Sequence, residues 1–108
     1  MALPRENRLV KKSDFGLVFK EGKAVKGSFL FIKYVKNKGR ARFGFIVSKK
    51  FYPRAVARNR LRRILSELAR LYMKSTPLSN LDIVVLVNKN CDQDLLSSEF
   101  TKFLESLN

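Results

Sequence analysis

The chain contains no histidine. That excludes histidine-based general acid–base chemistry, a Ser-His triad and histidine-ligated metal sites. Cys91 is the single cysteine, so no intrachain disulfide can form, and one thiol without histidine makes no zinc site. Its simplest reading is a structural or incidental thiol near a helix start. No apolar run approaches the ~18 residues needed to span a bilayer. Residues 1–12 alternate charged and apolar types and lack the apolar stretch of a secretory signal. The expectation is a cytoplasmic protein with no membrane attachment.

Acidic residues are also scarce, 9 against 23 Lys and Arg, for a formal net charge of +14. The imbalance is uneven. Residues 1–80 carry a balance of +17 and residues 81–108 a balance of −3. A positive field this strong on a small chain attracts a polyanion. Nucleic acid is the usual one, and an anionic membrane surface is the other. With 45% hydrophobic and 30% charged residues the chain reads as globular, and 108 residues suit a single domain spanning 1–108.

Periodicity supplies the elements. Residues 11–22 predict a short helix, capped by Ser13 or Asp14, with Phe15, Val18 and Phe19 on one face and Gly22 as the stop. Residues 29–35 and 42–48 predict two strands joined at Asn37-Lys38-Gly39 as a hairpin, with a short edge strand at 23–26. If Leu30, Ile32 and Tyr34 face the core, Phe29, Phe31 and Lys33 face the other way. Residues 49–54 read as a loop containing Pro53. Residues 54–73 predict the longest helix, with Ala57, Leu61, Ile64, Leu65, Leu68, Leu71 and Tyr72 on its buried face. A polar connector at 74–80 holds Pro77. Residues 81–87 read as a central strand buried on both faces. Residues 92–107 predict a last helix with Leu96, Phe100, Phe103, Leu104 and Leu107 inside. The class is α+β, one sheet with helices packed against it.

The long helix concentrates the charge. Residues 49–74 hold 9 Lys and Arg against one acid, Glu67, which can pair with Arg63. At 100° per residue, Arg58 and Arg62 lie along one margin of the apolar face and Arg60 along the other, with Asn59, Arg63 and Arg70 opposite. A solvated helix normally mixes charges, whereas unpaired like charges repel and destabilise the free protein. Guanidinium forks bind phosphate oxygens bidentately and stack on bases. Lys49, Lys50, Arg54, Arg58, Asn59, Arg60, Arg62 and Arg63 are therefore the candidate RNA-binding residues. Paired aromatics with neighbouring lysine are more often core, but an open sheet face bearing rings also holds single-stranded RNA.

Arg42-Phe43-Gly44-Phe45-Ile46-Val47-Ser48-Lys49-Lys50, followed by Ala55-Val56-Ala57-Arg58-Asn59-Arg60-Leu61-Arg62-Arg63, resembles the signature of the protein component of bacterial ribonuclease P. Asp14-Phe15, Val18-Phe19-Lys20 and Gly22 are similar to that family's first helix, and Asp82-Ile83-Val84-Val85 to its last strand. The resemblance runs from about Leu9 to Leu107. It implies a two-layer α/β sandwich of αβββαβα-like order, with a left-handed βαβ crossover, as in a domain of a small-subunit ribosomal protein. It implies the protein subunit of a particle that cleaves the 5′ leader from precursor tRNA, with magnesium held by the catalytic RNA and none bound by protein side chains alone. The expected partners are the catalytic ribonuclease P RNA and precursor tRNA, with no obligate protein partner. By position, Arg58, Asn59, Arg60, Arg62 and Arg63 would meet the catalytic RNA or the leader. Phe15, Phe19, Phe31, Lys33 and Ser48 would line a leader cleft flanked by Lys49 and Lys50, and this chain would carry no catalytic side chain. Two other readings stand beside this one. A small ribosomal-type RNA-binding protein would share the charge. A stand-alone nuclease would need Glu6, Asp14, Glu21, Glu67 and Asp82 to converge on metal ions.

Overall fold

The apolar run at 81–87 lies where its composition puts it, inside the sheet. The computed structural model describes residues 3–76, 79–90 and 92–107; the expectations at Pro77 and Cys91 fall outside these. The elements are α1 (Lys12–Glu21), β1 (Lys23–Lys26), β2 (Leu30–Arg40), β3 (Arg42–Val47), α2 (Ala55–Ser75), β4 (Ser79–Val87) and α3 (Gln93–Ser106), after a 3-10 turn at Arg5–Asn7. The strand order is β1-β2-β4-β3. β4 pairs antiparallel with β2 and parallel with β3, so α2 is the crossover between two adjacent parallel strands.

This order corrects the hairpin expected from β2 and β3. β4 lies between them, because the strand with two apolar faces gains most from a central position. Asn37-Lys38-Gly39 does not reverse the chain. It forms an irregularity in the β2–β4 register, with the Gly39 N–H donating to Asn37 Oδ1 at 2.9 Å. The short edge strand at 23–26 is present, antiparallel to β2.

Alternation along β4 divides the molecule. Ile83, Val85 and Val87 enter the main core with Leu30, Ile32, Phe43, Val47, Leu61, Leu65, Ala69, Phe100 and Leu104. Val84 faces the opposite side, where it packs with Val18 of α1 and with Leu9. Helices α2 and α3 thus cover one face and α1 part of the other. Leu65 is fully buried, and truncating such a leucine costs about 2–5 kcal/mol.

Several local expectations change. Helix α1 has no side-chain cap; Lys11 occupies the N-cap, and Asp14 reaches Arg42 at 3.3 Å instead. Gly22 does end α1, and a Cβ there would come within 2.3 Å of the Val18 carbonyl oxygen. Phe29 precedes β2 and packs against the main core, so strand alternation does not reach it. The apolar face of α2 is narrower than its pattern suggested. Leu61, Leu65 and Ala69 form its buried line, and Leu71 is 48% exposed. Helix α3 is capped by Asp92, whose side chain accepts from the Asp94 N–H. Among the described residues no helix is long and apolar enough to cross a membrane.

Candidate nucleic-acid interface

The α1 side of the sheet is built in rows set by strand register. The first row is Val35, Asp82 and Arg42, the second Lys33, Val84 and Gly44, and the third Phe31, Leu86 and Ile46.

The first row is ionic. Asp82 is only 3% exposed. It accepts from Arg42 Nε at 2.8 Å, Arg42 Nη2 at 2.7 Å and Asn37 Nδ2 at 2.6 Å. Arg42 Nη1 also reaches Asp14 at 3.3 Å, so one guanidinium ties α1 to two strands. The hydrogen bonds to Asp82 raise the Arg42 pKa further above its already basic value. The second row lies under α1. Val18 packs on Val84. The Phe15 ring lies so close over Gly44 that a Cβ there would meet it at 2.4 Å. Lys33 Nζ donates to the Phe19 carbonyl at 2.6 Å, closing the last turn of the helix.

The third row is less covered. Phe31, Leu86 and Ile46 are each half-buried. Lys26 stands opposite Phe31 on β1 and extends the row. The row ends at Ile46 on the edge strand β3; Ser48, two residues further along and just past β3, donates its N–H to the Val87 carbonyl at 2.9 Å. This strip of apolar sheet has a cation, Lys26, at its β1 end; such a surface offers a ring for stacking a base and an ammonium group for a phosphate.

Of the expected cleft residues, Phe31 belongs to this strip, and Ser48 lies just beyond its β3 end. Phe15 is half-buried and anchors α1. Phe19 is exposed on the helix. Lys33 holds the helix end, though its ammonium has donors to spare.

The turn from Ser48 to Arg54 carries the next cations. Ser48 Oγ accepts from the Lys50 N–H at 3.2 Å and its carbonyl from the Tyr52 N–H at 2.9 Å. Arg58 Nη1 donates to the carbonyls of Tyr52 and Pro53, both at 2.9 Å. Arg58 is thus first a clamp on this turn, with the rest of its fork available. Arg62 Nη1 donates to Asn59 Oδ1 at 2.8 Å, so Asn59 orients an arginine. Among the described residues, no ion pair involves Lys49, Lys50, Arg54, Arg58, Arg60, Arg62 or Arg63. The pairing expected between Glu67 and Arg63 goes to Arg70, at 2.5 Å. Those hydrogen bonds are the largest influence lowering the Glu67 pKa to about 2.

Sequence reasoning missed Arg42, Asn37 and Asp82 as a network, and Ile46, Leu86 and Lys26 as parts of the strip. A charged residue inside the 81–87 run was the available signal, since a buried carboxylate demands a cation. Which cation depends on register.

The family description that matches residues 3–108 is Ribonuclease P. A ribonuclease P protein component from Pectobacterium atrosepticum is 36% identical over 108 residues, covering 99% of this chain and 88% of that protein. Among solved structures, the RNase P protein of Thermotoga maritima in complex with 1-(4-fluorophenyl)-2-thiourea aligns with a TM-score of 0.80 at 28% identity, over 94% of this chain and all of that one. A Staphylococcus aureus RNase P protein, a mutant with defective mRNA degradation activity, aligns at 0.76 and 26% identity, over 94% of this chain and 85% of that one. Matched nearly end to end in sequence and in fold, the chain belongs to the ribonuclease P protein family.

Proposed function

We propose that this chain is the protein subunit of ribonuclease P and that it works by positioning RNA. The arginine-rich α2 docks on the catalytic RNA, and the strip of Phe31, Leu86 and Ile46 beside α1 receives the 5′ leader of precursor tRNA. The observation that carries this reading is the adjacency of two unlike surfaces. An apolar, half-open sheet row ends at Ile46 on β3, and just past the end of that strand begins a run of cations that have no acidic partner among the described residues. The first surface suits unpaired bases and the second a folded RNA backbone.

Endonucleolytic cleavage of the leader would then be chemistry of the RNA subunit in a cytoplasmic ribonucleoprotein. The carboxylates of this chain do not fit a magnesium site. Among the described residues no three acidic, histidine or cysteine side chains come together, and Asp14 and Asp82 are both engaged by Arg42. The protein contributes orientation and neutralised charge, which act on the barrier through positioning.

The test compares the affinity of the holoenzyme for precursor tRNA with a leader and for mature tRNA without one. The expected result is that adding the protein tightens the precursor selectively, and that Phe31→Ala removes most of that selectivity. Equal tightening of both RNAs would mean a ribosomal-type, purely structural RNA-binding role.

A further inference from the structure

β3 is the edge of the sheet, and its outer side is only partly covered. The N-terminal segment runs beside its start. The Leu9 N–H donates to the Phe43 carbonyl at 2.9 Å, and Asn7 Nδ2 to the Ala41 carbonyl at 2.7 Å. Buried Leu3 and Leu9 anchor this segment. The bridge stops at Arg8–Phe43, and Val10 is already 74% exposed. Backbone groups alternate along a strand. Ser48 sends its N–H to β4 and Phe43 its carbonyl to Leu9, so the backbone of Phe45 also faces the uncovered edge.

Helix α2 passes along this edge on its way back across the sheet. The result is a groove with Arg8 and Val10 on one wall, Arg62 and Ser66 on the other, and Phe15 and Phe45 between them. Among the described residues, no carboxylate lines it. Arg40, Arg42 and Arg70 all have acidic partners, whereas among the described residues neither Arg8 nor Arg62 forms an ion pair. Asn59 Oδ1 holds the Arg62 guanidinium, and the bridge to Phe43 fixes the Arg8 backbone beside the edge of β3. Two guanidinium groups lining one groove, over an apolar floor of rings, match a phosphodiester with its sugars on the rings.

We propose that Arg8 and Arg62 jointly grip one phosphodiester of an RNA strand laid along the edge of β3. This site is separate from the strip on the α1 face, and it makes Arg8 an RNA-binding residue. The inference rests on the reading of the chain as a ribonuclease P subunit only in taking the catalytic RNA as the partner.

The test measures affinity of the full-length protein for that RNA between 50 and 300 mM monovalent salt. The proteins compared are unsubstituted, Arg8→Ala, Arg62→Ala and the double variant, each checked for an unchanged melting temperature. Each single substitution is expected to weaken binding about tenfold and to lower the salt slope by about one. The double variant is expected to add no more than about threefold and to leave the slope loss near one, because both side chains serve the same phosphate. A double loss near a hundredfold with the slope down by about two would overturn the shared grip. Unchanged RNA affinity with new self-association would overturn it too, and would make the arginines guards of an open strand edge. If the unsubstituted protein itself shows no salt-dependent binding to the RNA, the functional reading fails before any variant is compared.

Discussion

Removing the charge of Asp82 tests the ionic row that joins α1 to the sheet. Asp82→Asn keeps the size and one acceptor but takes away the anion between Arg42 and Asn37. The two Arg42 bonds, at 2.8 and 2.7 Å, are charge-assisted, and such bonds contribute about 1.5–3 kcal/mol each. Their sum is an upper bound, because the Arg42 side chain is 32% exposed and water can take part of the load. Asparagine also retains one acceptor. The expected cost is about 2–3 kcal/mol, which for a domain of this size lowers the melting temperature by roughly 10–20 °C. Arg42→Met should cost more, about 3–5 kcal/mol, because it strands the carboxylate, whose side chain is only 4% exposed. The assay is urea unfolding at pH 7 followed by circular dichroism, with the denaturant slope unchanged. A cost below about 0.5 kcal/mol for Asp82→Asn, or a smaller loss for Arg42→Met than for Asp82→Asn, would refute this account of the row.

Two further outcomes follow from single contacts. Arg58→Lys keeps the charge but cannot reproduce the fork over the Tyr52 and Pro53 carbonyls; in the free protein, trypsin should cleave after Lys49 or Lys50 several-fold faster at an unchanged melting temperature, and an unaltered rate would mean Arg58 does not organise the turn. Glu67 has its pKa lowered from 4.5 to about 2, chiefly by Arg70. A depressed carboxyl stabilises the fold above its unfolded value and loses that contribution as pH falls through its folded value. Stability should therefore fall between about pH 4.5 and 2, and Glu67→Gln should reduce that fall; a pH profile identical in the variant would remove Glu67 from the acid response.

What the sequence made legible was whatever depends on local pattern. The run at 81–87 announced a central strand by its composition, and β4 is one. The spacing of Leu61, Leu65 and Leu68 oriented α2 well enough to show that its arginines face outwards. Pairing was not legible. Asn37-Lys38-Gly39 has the residues of a hairpin turn, yet the same residues serve an irregularity within β2, and the difference lies in β4, more than 40 residues later. Phe29 and Phe31 look alike in an alternating pattern. Only the start of β2 at Leu30 separates a core ring from a ring on the strip. Arg58 and Arg63 look alike in charge. The turn packed against the helix start makes one a clamp and leaves the other exposed. Asp82 read as one of several scattered carboxylates because its partners arrive from β3 and from the end of β2.

The most direct test of the central claim is cleavage of precursor tRNA at low, physiological magnesium by the matching catalytic RNA, with and without this protein. The expected result is that the RNA alone is nearly inactive under these conditions, that the protein alone is inactive, and that the two together remove the leader to leave the mature 5′ end. Cleavage by the protein alone, or no stimulation when it is added to the RNA, would contradict it.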